Sequence, residues 1–161
     1  MKFMFVRLLG AATLTLLGAS VEAPVHAASI NTSMLECQPL QPGQTNLRHT
    51  ELGTSTDGVF PTPRFVTCSV PRSPSATTTT GSLFYVTGDN RDGMSTTTCT
   101  LFSYDYTGLF LGSTSFTRTA PHYTQIVLLP AAQLGFWAYT SLTCLLPENG
   151  RATIESVVAS Q

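Results

Sequence analysis

The side chains of this sequence that could transfer a proton or attack a carbonyl are few. Beyond residue 27 there are two histidines, His49 and His122. A Ser-His-Asp arrangement can be drawn from His122, Asp105 and any of many serines. The G-x-S-x-G elbow that exposes a nucleophile is absent, and a chain with Ser and Thr at over a quarter of its residues supplies such trios by chance. His122 follows Pro121 at a strand start, the setting of a solvated turn histidine, and His49 lies in a polar stretch. The carboxylates that could form an acid–base pair are Asp89, Asp92, Asp105 and Glu148. Glycoside hydrolysis needs two of them across a cleft. Asp89 and Asp92 share the loop Gly88–Gly93, whose tip is expected to be solvated. Read as an EF-type calcium loop from Asp89, positions 1, 3 and 5 hold Asp89, Arg91 and Gly93, so the ligand pattern fails. A cation held by Asp89, Asn90 and Asp92 with backbone carbonyls stays open, beside the plainer reading of a hairpin turn.

The four cysteines are Cys37, Cys68, Cys99 and Cys144. No C-x-x-C or H-x-x-x-H spacing suggests zinc. An even count in an exported chain reads as two disulfides, with no thiolate left for catalysis. Three pairings exist. Cys37–Cys68 with Cys99–Cys144 joins neighbouring parts of the chain and is the expected one; closing a loop of about 32 residues stabilises by about 3.5 kcal/mol.

Rings and hydroxyls offer a different chemistry. Sugars stack their apolar C–H faces on exposed aromatic rings, with hydroxyls hydrogen-bonding beside them. Trp137, Tyr139, Tyr104 and Phe102, with the threonines around them, could form such a platform. A lone Trp more often packs in the core, here beside a disulfide. The T-x-T runs (Thr96, Thr98, Thr100, and Thr77 to Thr80) also suggest a flat ice-binding array, but that needs a repeating unit, which the chain lacks.

The elements that must position these residues follow a leader. Lys2 and Arg7 precede the apolar run Leu8–Ala19, and Val25-His26-Ala27 offers a cleavage site before Ala28. Residues 1–27 therefore read as a secretory signal peptide, leaving one domain over 28–161. The apolar run of about 12 residues is shorter than the roughly 20 of a membrane span, and no later stretch approaches that length. Cleavage removes Lys2, Arg7 and Glu22, leaving six arginines, no lysine and eight acidic residues. Lysine Schiff-base chemistry is thereby excluded. With a net charge of −1 for the whole chain, no basic field points to nucleic acid.

The remaining sequence is strand-like. Hydrophobic residues make up 42% and charged residues 11%, and no apolar 3–4 periodicity runs for three turns. Period-2 segments recur at 64–70, 82–89, 95–104, 108–118, 122–129, 136–146 and 151–158, with a weaker one at 46–52. Asp57-Gly58, Asp92-Gly93 and Asn149-Gly150 are turn pairs, and prolines lie between runs. Ala131 to Leu134 reads as a single helical turn. Seven or eight short antiparallel strands predict an all-β, disulfide-stapled sandwich of jelly-roll type. In segment 136–146, Phe136, Ala138, Leu142, Cys144 and Leu146 share one face; Trp137, Tyr139, Ser141 and Thr143 share the other. In 95–104, Cys99 and Leu101 lie opposite to Thr98, Thr100, Phe102 and Tyr104. If Cys99 and Cys144 are bonded, the two cysteine faces meet.

Cys37-Gln38-Pro39, Cys68-Ser69-Val70-Pro71-Arg72, Cys99-Thr100-Leu101-Phe102-Ser103, Ala132-Gln133-Leu134-Gly135 and Tyr139-x-Ser141-Leu142-x-Cys144-x-Leu146-Pro147 resemble segments of a group of small exported bacterial four-cysteine β proteins of unknown function. The resemblance covers nearly all of 28–161 and implies an exported four-cysteine β protein. It implies no activity and no catalytic residue. The expected function is therefore a non-catalytic, secreted or periplasmic binding or structural module, with a glycan or cell-surface component as partner and no metal or cofactor. The alternative is a small secreted hydrolase using a loop carboxylate or His122.

Overall fold

The structure is a computed structural model that describes residues 30–33, 37–40, 47–50, 53–56, 64–70, 81–135, 137–147 and 150–160. The expected leader, residues 71–80, Asp57-Gly58, Phe136, Glu148 and Asn149 lie outside the described residues. Eleven strands are present: β1 Ile30–Ser33, β2 Gln38–Pro39, β3 Leu47–Thr50, β4 Gly53–Thr56, β5 Arg64–Val70, β6 Ser82–Asn90, β7 Thr97–Tyr104, β8 Phe110–Arg118, β9 His122–Leu129, β10 Tyr139–Leu146 and β11 Ala152–Ser160. They form two antiparallel sheets. One runs β3-β4-β11-β6-β9, with β1 also paired to β11. The other runs β2-β5-β10-β7-β8.

The expected all-β sandwich is the observed fold, and each of the seven strong period-2 segments contains a strand. The segment 46–52 was expected as one strand. It contributes β3, which pairs with the separate β4 in register Leu47↔Thr56 to Thr50↔Gly53. Gly53, at φ +128, stands at the start of β4 with Ile154 and Glu155 backbone against it, so no side chain fits there. The helical turn appears as a 3-10 turn at Ala131–Gln133. The Asp92-Gly93 turn is present, with Gly93 at φ +61 and its N–H donating to the Asn90 carbonyl at 2.8 Å.

Alternation on β5, β6, β7 and β10 sends one face inward. Val66, Cys68, Val70, Cys99, Leu101, Leu142, Cys144 and Leu146 from one sheet join Phe84, Val86, Val127, Leu129, Ile154 and Val157 from the other in a single buried cluster. Each of the larger side chains contributes about 1.5–3 kcal/mol by leaving water. The disulfides are Cys37–Cys68 and Cys99–Cys144, as expected. Cys99 stands directly opposite Cys144 in the β7–β10 register. The two cysteine faces therefore do not meet across the sandwich. They are one inner face, and the bridge staples neighbouring strands of a single sheet.

A polar clamp closes one corner of the sandwich. Asn90, at 0% exposure, donates Nδ2 to the carbonyls of Arg118 (3.1 Å) and Ala120 (3.2 Å), and accepts from Thr97 Oγ1 at 2.6 Å. It joins the end of β6, the start of β7 and the β8–β9 connection. Asn90→Ala removes all three partners inside a dry site. The expected loss is about 2–4 kcal/mol, because buried groups left unpaired cost more than an average hydrogen bond. Chemical denaturation of the variant against wild type measures it.

Candidate functional site: an aromatic and hydroxyl sheet face

The outer face of the β2-β5-β10-β7-β8 sheet holds three of the four residues singled out for ring chemistry, Tyr139, Tyr104 and Phe102. β10 lies between β5 and β7, with Leu142 and Cys144 anchored below, so its outward residues are held on a paired backbone. Tyr139 stands opposite Tyr104, their rings stacked with centroids 5.3 Å apart and planes 20° apart. Phe102 follows Tyr104 at 6.3 Å. Phe110 meets Tyr104 edge-on at 5.9 Å and Phe102 at 6.4 Å. Tyr139 is 49% exposed and Phe110 54%, while Phe102 and Tyr104 are half-buried between them.

Trp137 is 71% exposed, so the core placement beside the disulfide is overturned. It is also not a strand residue: β10 begins at Tyr139, and Trp137 sits in a turn closed by the Ala138 N–H donating to the Gly135 carbonyl at 3.0 Å. The turn shows this ring to solvent beside the first residue of β10.

Phe110 was not singled out in the sequence. Strict alternation groups the outward Ser113, Ser115 and Thr117 together and sends Phe110 to the core. A bulge intervenes: Ser103 pairs with Gly112 but Tyr104 with Phe110, leaving Leu111 extra. The extra residue reverses the parity and turns Phe110 outward. Opposite the bulge, a Cβ on Gly112 would collide with the Gln133 side chain, so the small residue lets the 3-10 turn lie against β8.

The β7–β8 loop is fixed by Asp105. Its Oδ1 accepts from the Thr107 hydroxyl (2.6 Å), the Thr107 N–H (2.8 Å) and the Leu109 N–H (2.9 Å). The Thr107 hydroxyl, then these N–H groups, hold its carboxyl below the ordinary value. Gly108, at φ +89, occupies the left-handed region, and a Cβ there would lie 3.9 Å from the Tyr139 hydroxyl. The loop adds Tyr106 and Leu109, both well exposed.

Away from the rings the face becomes hydroxylated. Thr67, Thr143, Thr100 and Ser115 stand side by side across four strands, with Gln38 beside Thr67 on the fifth. Ser69, Ser141, Phe102 and Ser113 form the neighbouring row, and Phe65, Leu145, Thr98 and Thr117 the next. Hydroxyls bond along the rows: Thr100 to Ser115 at 2.8 Å, Thr98 to Thr117 at 3.1 Å and Thr143 to Thr67 at 3.5 Å. No internal repeat builds this array. Distant segments deliver it through their lateral register.

The candidates for acid–base chemistry are distributed elsewhere. His122, 82% exposed, has Nδ1 3.6 Å from Asp89 Oδ2 on the paired strand β6. His122 lines a shallow depression of about 240 Å³ with Thr87, Gly88, Tyr123, Thr124 and Glu155. The Thr87 hydroxyl is engaged with Ser156 Oγ at 2.7 Å, and among the described residues no hydroxyl bonds His122. Burial pushes the Tyr123 phenol up to about 12. Asp105 is in the other sheet's hairpin, so the imagined His122–Asp105 pairing is not formed. His49 Nδ1 instead meets Thr54 Oγ1 at 2.9 Å.

The Asp89–Asn90–Asp92 cation reading fails on geometry. The Asn90 side chain is turned into the core on its three partners, and Asp92 is occupied by the Ser95 hydroxyl (2.7 Å), the Ser95 N–H (2.8 Å) and the Met94 N–H (3.0 Å). Those bonds, with Ser95 Oγ first, lower the Asp92 carboxyl from 3.8 to about 2, the opposite of a general acid. The carboxylate therefore stabilises the fold above pH about 4, and this contribution fades as the pH falls from about 4 toward 2. Asp92→Asn should flatten the denaturation-midpoint profile in that acid window relative to wild type.

No family model matches the chain, and no curated protein matches it. Among solved structures, the CBM36-1 domain of a multidomain xylanase from the hindgut metagenome of Trinervitermes trinervoides aligns over 83% of this chain and 98% of its own at 11% identity, with a TM-score of 0.48. The enzymatically active domain of bacteriophage CBA120 tailspike protein 4 aligns over 85% of this chain and 20% of its own at 11% identity, with a TM-score of 0.47. The C-terminal CBM6 of LamC from Zobellia galactanivorans aligns over 83% and 100% at 11% identity, with a TM-score of 0.42. At this level of similarity no binding residue transfers to this chain.

Proposed function

We propose that the protein is an exported, non-catalytic β-sandwich that binds glycan on the outer face of the β2-β5-β10-β7-β8 sheet. The observation that carries this reading is the ring cluster itself. Tyr139 and Tyr104 are stacked on the sheet, Phe102 and Phe110 abut them, and Trp137, two residues before Tyr139, is 71% exposed. A contiguous aromatic surface left in water marks an interaction site. Its exposed rings and neighbouring hydroxyls match the alternating apolar and hydroxyl faces of a sugar chain. Two disulfides accord with an oxidising compartment, and the 1–27 leader supplies the route there. Among the described residues, no helix is long and apolar enough to cross a membrane.

Depletion from solution by insoluble polysaccharides tests the proposal. Retention of wild type on at least one sugar polymer, with no soluble reducing sugar released, is the expected result. Sugar release abolished by His122→Ala would instead place a hydrolytic reaction at the His122–Asp89 pair.

A further inference from the structure

We infer that the ligand is an uncharged, extended polysaccharide lying across the hydroxyl rows in the direction of β7, with the aromatic cluster gripping one end of it. This inference rests on the glycan-binding reading and names the class of glycan. Across the three rows from Ser69–Ser113 to Phe65–Thr117, nine of twelve outward positions carry a hydroxyl, and none carries a charge. The arginines of these strands stand in register with inward residues: Arg64 with Leu146 and Arg118 with Thr97. Asp105, in the β7–β8 loop, is committed to its own loop. An anionic polymer on this face would lose hydration and gain no countercharge, which is unfavourable. A neutral chain meets groups of its own kind.

The dimensions argue for length. Tyr104 to Thr98 covers seven residues of β7, about 20 Å at strand rise, and four strands add about 14 Å of width. Small ligands are recognised by enclosure in a cleft. An open sheet face of this extent gains affinity only by contacting many units in succession. The rings and rows are continuous, since Phe102 belongs to both the aromatic cluster and the Ser69–Ser141–Ser113 row. One chain can therefore touch both.

The test compares wild type with a Thr100→Val, Thr143→Val double variant, which keeps side-chain shape and strand preference but removes two hydroxyls beside the rings. Probes are neutral cellulose, xylan, chitin and β-1,3-glucan, their short oligosaccharides, and anionic alginate and polygalacturonate. Expected results are retention on a neutral polymer and affinity that rises with oligosaccharide length. Binding should hold from about 10 mM to about 1 M salt, where the Debye length falls from about 30 to about 3 Å. The double variant should bind about tenfold more weakly. If wild type binds a disaccharide as tightly as the polymer and the double variant binds equally, the inference falls while glycan binding stands. Salt-sensitive retention on the anionic polymers alone also overturns it. A concentration-dependent dimer that protects these positions does the same. No retention on any polymer overturns both readings.

Discussion

Tyr104→Ala with Tyr139→Ala should abolish polysaccharide retention and leave the fold standing. Truncating a central aromatic anchor commonly costs at least about 2 kcal/mol of binding, close to thirtyfold, and the two stacked rings form one surface. The stability cost should be small by comparison. Tyr139 is about half exposed, and an aromatic pair adds about 0.5–1.5 kcal/mol beyond its burial. Equilibrium denaturation beside a depletion assay separates the two effects. A variant as stable as wild type that is still fully retained would place the binding surface elsewhere. Thr124→Ala, on the other sheet, serves as the control and should bind normally.

Replacing Cys99 and Cys144 together by alanine should cost about 2–5 kcal/mol. The bridge spans 45 residues of sequence, and both sulfurs are fully buried between β7 and β10. Its loss frees the unfolded chain and leaves a gap under the outward Thr100–Thr143 pair, so polymer retention should weaken as well. Denaturation midpoints with and without reductant provide the measurement. In reductant, wild type and the double variant should converge, since both then also lack the Cys37–Cys68 bridge. Unchanged stability would mean that the β7–β10 pairing and the surrounding core alone hold these strands.

Much of the framework was legible because alternation and turn chemistry are local signals. Segments 64–70 and 122–129 coincide with β5 and β9, and the expected Cys99–Cys144 pairing is the observed one. What was illegible depended on non-local geometry. Whether a segment such as 46–52 turns back on itself is decided by the strands it meets, as β4 is by β11. The outward turn of Phe110 depends on one extra residue, Leu111, that no periodicity announces. The position of Trp137 followed from where β10 begins, two residues beyond it, rather than from its parity with Cys144. The hydroxyl rows arise only once Thr67, Thr143, Thr100 and Ser115 are set side by side, since the chain order separates them. The acid–base candidates were individually visible, but their hydrogen bonds were not. Asp92 and Asp105 turned out to hold loops together.

Trp137 is the single tryptophan of the chain, which makes its fluorescence a direct probe of the proposed face. Iodide quenching of free protein, repeated with a saturating soluble neutral polysaccharide, tests the central claim most directly. The free protein should show red-shifted emission that iodide quenches readily. Bound polysaccharide should shift the emission to the blue and shield the ring from iodide. Blue-shifted, protected emission in the free protein, or quenching unchanged at saturating polysaccharide, would contradict the account.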